Sequence, residues 1–287
     1  MATMKAIKKR ISSVNNTKKI MKAMDLVAAS KLQKARERLD DVLPMYDNIK
    51  LVIEGIKASV GVGDEIEFAE EREVKTAAYI VLTSDRGLCG GYNVNISKEA
   101  LAFIKSNADI QEKIIAIGSK GSEYFRRRGR KVVYKCAAAS EATTFEDAEL
   151  LGAHVASMYK SGEADEVYLV YTHFESILSH STQIEKILPL RTGSGEDGSS
   201  GSEGMSYDPD VATFISYAVP MYLSVAIYGA MMESAVCEYA SRMTSMDSAT
   251  RNASEIIEDL TLDYNRKRQS LITQEITEIV SGANALK

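Results

Sequence analysis

Apolar side chains near the start of the chain keep a strict rhythm. Ile7, Ile11, Val14, Met21, Ala28, Leu32, Ala35, Leu39 and Val42 follow one another at alternating spacings of four and three, interrupted on the same stripe only by Lys18 and Asp25. Met1 to Leu43 contains neither Gly nor Pro. Such spacing holds one stripe of a slightly underwound helix against a partner, so it predicts a coiled-coil seam. The plainer alternative, an amphipathic helix of a globular core, usually ends within about 20 residues. Pro44 marks a bend or a break in the seam, after which Ile49, Val52, Ile53 and Ile56 extend the helix.

Past Gly61 and Gly63 the texture changes. Ala77 to Leu82, Ile114 to Ile117, Val132 to Tyr134 and Val167 to Tyr171 are short unbroken apolar runs, as expected of buried strands. Helix-like stretches lie between them at Ile96 to Lys105, Glu123 to Arg128 and Asp147 to Tyr159. Alternation of this kind predicts a mostly parallel sheet covered on both faces, with Gln183 to Leu188 as a last strand returning antiparallel to Val167–Tyr171. Residues 191–206 are rich in Gly and Ser and read as a flexible loop. Ser206-Tyr207-Asp208-Pro209 then starts a helix.

From Ala230 to Ser281 there is again no Gly or Pro, and Met243, Met246, Ala253, Ile257, Leu260, Tyr264 and Leu271 form a second, looser seam. Val211 to Ser281 would span about 107 Å as one helix, too long for a single globular core. The reading divides the chain into an N-terminal coiled-coil helix (1–60), an α/β domain (75–190), the loop (191–206) and a C-terminal coiled-coil helix (207–287) that returns beside the first. Charge supports the pairing. Residues 1 to 40 carry eleven Lys/Arg against three Asp/Glu, while residues 207 to 287 carry six against eleven.

A formal net charge of -5 gives no basic excess for nucleic acid. Cys89, Cys136 and Cys237 are scattered, which excludes a disulfide framework or zinc ribbon. His154, His173 and His180 match no metal-ligand spacing. Thr83 to Asn93 sits between a strand and a helix, where α/β folds cradle phosphates, yet it has neither Gly-x-Gly-x-x-Gly nor a Walker ending. Cys89 in that loop is either an exposed nucleophile or a buried structural thiol. The basic knot Arg126–Arg128, Arg130 and Lys131 reads as a solvated helix end. Val211 to Met232 is free of charge for 22 residues, long enough to cross a bilayer, but Pro220, Gly229 and its acidic flanks favour burial against the α/β domain. No catalytic carboxylate pair or Ser/His/Asp grouping stands out.

Three blocks carry a resemblance. Ile11 to Ile20 (ISSVNNTKKI) with Lys22 to Lys31, the Ser84 to Asn93 loop, and Tyr264 to Ala283 (YNRKRQSLITQEITEIVSGA) closely resemble the gamma subunit of bacterial-type F-type ATP synthases, in the expected order across the whole chain. The resemblance implies a long antiparallel coiled coil of the terminal helices with an inserted Rossmann-like α/β domain. It implies a non-catalytic central rotor that couples ion flow through a membrane c-ring to ATP synthesis or hydrolysis on beta subunits. Alpha, beta, epsilon and c subunits would be its partners, with delta in the same complex. It implies no cofactor and no metal, and a peripheral location on the cytoplasmic side of the cell membrane. Met24, Arg268, Gln269 and Thr273 would touch beta, and Tyr207 would lie in the foot that meets the c-ring. Relatives commonly carry charge where this chain has Val211 to Met232, and no closely spaced Cys pair supports thiol regulation. Two other classes stay open: a coiled-coil-dimerised α/β nucleotide-binding enzyme, and a membrane anchor spanning through Val211–Met232.

Overall fold

The computed structural model describes residues 4–59, 68, 72–138, 143–190 and 211–285. Gly61, Gly63, the 191–206 stretch, the Ser206–Pro209 start signal and Tyr207 lie outside them. Along the chain run α1 (Met4–Ser59), β1 (Thr76–Leu82), α2 (Tyr92–Ser106), β2 (Gln111–Ile117), α3 (Ser119–Arg126), β3 (Val132–Cys136), α4 (Phe145–Lys160), β4 (Glu166–Phe174), β5 (His180–Leu188) and α5 (Val211–Ala285). These are a mixed sheet and two long terminal helices. The chain divides into two compact units, one of Met1–Ala28 with Met243–Lys287 and the other Ala29–Arg242.

In the larger unit the sheet order is β3-β2-β1-β4-β5, with the first four strands parallel and β5 antiparallel to β4. The central strand β1 is covered on both sides, which is why its run shows no polar alternation. Ala77, Tyr79 and Val81 pack with Ile96, Ala100 and Ile104 of α2 and Phe125 of α3. On the other face Leu82 and Ile117 meet Ser234 and Ala235 of α5. Asp147 closes the first turn of α4 by accepting from the Thr144 N–H at 2.9 Å. Helix α4 then reaches α5 at Gly152, where an added Cβ would lie 2.7 Å from Ser224 Oγ and 3.0 Å from its backbone nitrogen. The approach therefore requires a residue with no side chain.

That contact accounts for the uncharged Val211–Met232 stretch. Ile215, Val219, Leu223, Val225 and Ile227 are all buried, with Tyr217 and Met221 the large exceptions. Phe145 of α4 stands edge-on to Tyr228 at 5.6 Å, and Gly229 faces Val42 and Tyr46 of α1. The window apolar enough for a membrane span is 61% buried within the protein. Its hydrophobicity is spent on the α/β domain.

Of the bend or seam break expected at Pro44, the break does not occur. Helix α1 passes through Pro44, and Val42, Tyr46, Ile49 and Ile53 continue the covered stripe beyond it. Pro44 is exposed, off the covered stripe, so its ring meets no partner in the seam; its missing N–H and the crowding of its ring against the preceding turn are strains within α1 itself.

In the smaller unit Met4, Ile7, Ile11, Val14, Lys18, Met21, Asp25 and Ala28 of α1 are the covered positions. Ile7 lines one groove with Leu260, Asp263 and Lys267, while Val14 and Met21 line another with Ala249 and Ala253. Numbers rise on one helix as they fall on the other, so the pair is antiparallel. Lys18 and Asp25 occupy seam positions and are half-covered. Leu271, expected on the second seam, is 41% exposed; among the described residues Lys267 is the last covered position of α5.

Candidate partner interface

In the loop after β1, where α/β folds cradle phosphates, the polar side chains of Ser84, Asp85 and Asn93 are engaged within the protein. The Ser84 N–H donates to Asn93 Oδ1 at 2.8 Å, and Ser84 Oγ donates to the Arg86 carbonyl at 2.6 Å. Asn93 Nδ2 donates to Ser84 Oγ at 2.7 Å and to Cys89 Sγ at 3.1 Å. Asp85 accepts from the Ser119 N–H and hydroxyl, both at 2.8 Å, and from the Ala138 N–H at 3.0 Å. Burial alone would raise the Asp85 carboxyl, but these three donors and nearby Lys135 together bring it below the usual carboxylate range. The first N–H of α2, at Tyr92, is taken by the Cys89 carbonyl. Gly118 makes the close approach possible: its φ is +94°, and a Cβ would sit 2.2 Å from the Thr83 carbonyl oxygen.

The outer side of the same loop is fastened to α5. Ser241 Oγ donates to the Cys89 carbonyl at 2.9 Å, and Arg242 donates to the Arg86 and Gly87 carbonyls. Cys89 is 1% exposed, and burial pushes its thiol up, against the pull of Ser84 and Arg242. It is a structural thiol rather than a nucleophile. Cys136, half-buried, is likewise pushed up, to about 11, first by burial and then by Asp85 and Asp147. What the loop offers outward is Leu88, 63% exposed at a φ of +64°. Its geometry is that of a bracket with an apolar tip.

The other exposed surface is the far end of α5. From Arg268 to Asn284 every residue is exposed, including Ile272, Ile276, Ile279 and Val280. Their polar neighbours are satisfied within the helix, as where Thr273 Oγ1 donates to the Gln269 carbonyl at 2.9 Å and Gln274 to Glu278 at 2.8 Å. A stable helix that leaves such apolar turns open is prepared for a partner.

Comparison with known proteins gives that surface a context. The family model described as ATP synthase matches residues 3–286. The "ATP synthase gamma chain" of Alkaliphilus metalliredigens is 43% identical over 99% of both chains. The "ATP synthase gamma chain, sodium ion specific" of Acetobacterium woodii is 41% identical over 98% of this chain and 97% of its own. Among solved structures, a chain of the Euglena gracilis mitochondrial ATP synthase covers 99% of this one at 18% identity with a TM-score of 0.71. The chain belongs to the ATP synthase gamma family.

For a gamma chain, the sequence-predicted contact residues fall into two places. Arg268, Gln269 and Thr273 share the exposed end of α5, whereas Met24 is 40% exposed on α1 beside the seam position Asp25. The antiparallel register puts Met24 level with about residue 246, roughly 33 Å along the pair from Arg268. They do not form one site. What sequence reading missed in this gamma chain is the fastening of the loop by Ser241 and Arg242. A signal for it was present, since Glu238 and Arg242 are an i,i+4 charge pair set in an otherwise apolar run.

Proposed function

We propose that this gamma chain is the central rotor stalk of an ATP synthase, non-catalytic itself, with the catalytic sites on partner beta subunits. The observation that carries the reading is the bare apolar end of α5 on a chain matched end to end by gamma relatives. An apolar surface with few directional bonds suits a helix that must turn inside a sleeve. A rotor with different side chains on different sides presents each identical neighbour with a different face, so nucleotide affinity there varies with angle. In this reading Arg268, Gln269 and Thr273 hydrogen-bond beta at one level and Met24 meets it at another. Tyr207 belongs to the foot that meets the c-ring. Alpha, epsilon and c subunits complete the contacts, with delta in the same complex. The protein is membrane-associated through that complex, peripheral, on the cytoplasmic side of the cell membrane.

The nucleotide-enzyme alternative loses support from the loop's lack of a Gly-x-Gly-x-x-Gly or Walker pattern and from the internal use of the Ser84, Asn93 and Tyr92 donors. Pull-down of the tagged chain from detergent-solubilised membranes should recover alpha, beta and c subunits, and an alkaline wash should release it from lipid. Replacing Arg268 and Gln269 together by Ala should lower coupled ATP synthesis several-fold while changing folding stability by no more than about 0.5 kcal/mol. Stoichiometric nucleotide binding by the lone chain, with no subunits recovered, would reverse the assignment.

A further inference from the structure

Glu238 sits in the enclosed turns of α5, its side chain 10% exposed. A buried carboxylate is costly unless a cation and hydrogen bonds hold it. Its Oε1 accepts from Arg242 Nη1 at 2.6 Å. The other terminal nitrogen of Arg242 turns away from Glu238 and donates to the carbonyls of Gly87 at 3.3 Å and Arg86 at 3.4 Å. The guanidinium fork therefore spans two structures, with one prong on the helix and one on the loop. The Tyr239 ring lies 6.0 Å from the guanidinium and steadies its plane, but the carboxylate supplies the hydrogen bond that fixes its rotation and so aims the second prong. The carbonyls it reaches immediately precede Leu88, the outward apolar tip, and Cys89, the buried thiol beneath it.

We propose that Glu238 is a positioning residue: its carboxylate orients Arg242 as a clasp on the Arg86 and Gly87 carbonyls, fixing where Leu88 is presented, and a proton taken up at Glu238 opens the clasp. The groups facing it are Arg242 on its own helix, Lys31 of α1, Asp85 and Cys89 of the loop, and Tyr92 of α2. Burial, the largest influence, holds the Glu238 carboxyl above the ordinary glutamate value; Arg242 pulls it down, Asp85 adds to the rise, and Lys31 opposes it. Cys89 and Tyr92 are themselves raised by burial and stay neutral below pH 7. Because the folded value is raised, the proton arrives at a higher pH than on an exposed glutamate. The clasp is closed at high pH and opens as pH falls.

Cys89 is the built-in reporter, and Cys237, buried at 0% exposure, is the control. In the full-length chain near pH 7.5, alkylation followed by peptide mass spectrometry should label Cys89 about tenfold faster in Glu238→Gln than in the parent, the effect of losing one charge-assisted hydrogen bond, with Cys237 unchanged. Arg242→Lys, which keeps a charge beside Glu238 but has no second prong, should accelerate Cys89 labelling similarly. It also preserves the test should Glu238→Gln fold poorly. Hydrogen exchange of residues 86–91, corrected for intrinsic rates, should quicken in the parent as pH falls, beginning above the range in which an exposed glutamate takes up its proton, and be flat in Glu238→Gln. Equal Cys89 rates in parent and variants, equal acceleration at Cys237, or the same pH profile in both proteins would each overturn the clasp. Its consequence for coupling rests on the rotor reading, so ATP synthesis in the assembled complex is scored separately. A clasp confirmed by thiol labelling in a chain that does not assemble would retire the rotor reading and leave the clasp standing.

Discussion

Helix α5 meets its surroundings in two contrasting ways. Between Leu223 and Ser241 nearly every residue around its circumference is covered by the sheet, α4 and α1, and even Ser224, Ser234 and Glu238 are buried. Between Asp247 and Lys267 only a stripe is covered, and from Arg268 to Asn284 none of it is. One stretch is apolar all round and the other apolar on one side, as their surroundings demand. Hydrophobicity alone therefore says little about purpose: the same density of Ile, Val and Met builds a core in the first stretch and an open surface in the last.

The contrast can be tested by placing comparable changes along the helix. Val236→Asp should be the most damaging, since it puts a charge where exposure is 0%; a loss of about 4 kcal/mol or more in denaturant unfolding is expected, or failure to fold. If it cost under about 1 kcal/mol, the enclosure of this stretch would be wrong. Met246→Asp, where the one-sided seam begins, should cost about 2–3 kcal/mol. Its damage should appear as faster hydrogen exchange across Met4–Ala28, with the sheet amides little changed. Ile276→Ser should leave stability within about 0.5 kcal/mol, because the side chain is 56% exposed. The same change should reduce self-association of the isolated chain in light scattering. A large loss of stability there would mean that the end of α5 is covered by this chain after all.

Much of the fold was legible because period and burial are directly linked. The seam from Ile7 to Val42 matches the covered positions residue by residue, and the unbroken run at Ala77–Leu82 marks a strand enclosed on both faces. At Pro44 the sequence leaves a bend or a break open; the covered stripe continues past it because the ring sits on the exposed side, which a local pattern does not specify. Spacing alone places Leu271 on the seam, but spacing does not say how far along a helix the cover extends. The loop at Thr83–Asn93 was legible as a place but not as a device. Its fastening joins Arg86 and Gly87 to Arg242, more than 150 positions along the chain; the local Glu238–Arg242 spacing marks the helix half of that contact but does not name the loop it reaches. Met24 was separable from the seam at sight, yet its distance from Arg268 followed only from the antiparallel register.

The stripe from Met4 to Ala28 also has a handedness. A contact line repeating every seven residues lags the natural pitch of the α-helix, so the two helices of the smaller unit wrap with left-handed chirality. Such a rope is not indifferent to the sense of an applied twist. Torsion that tightens a left-handed wrap presses its seam contacts together, while the opposite torsion unwinds them. Stiffness then differs between clockwise and anticlockwise loading, a bias set by the spacing of a few apolar side chains.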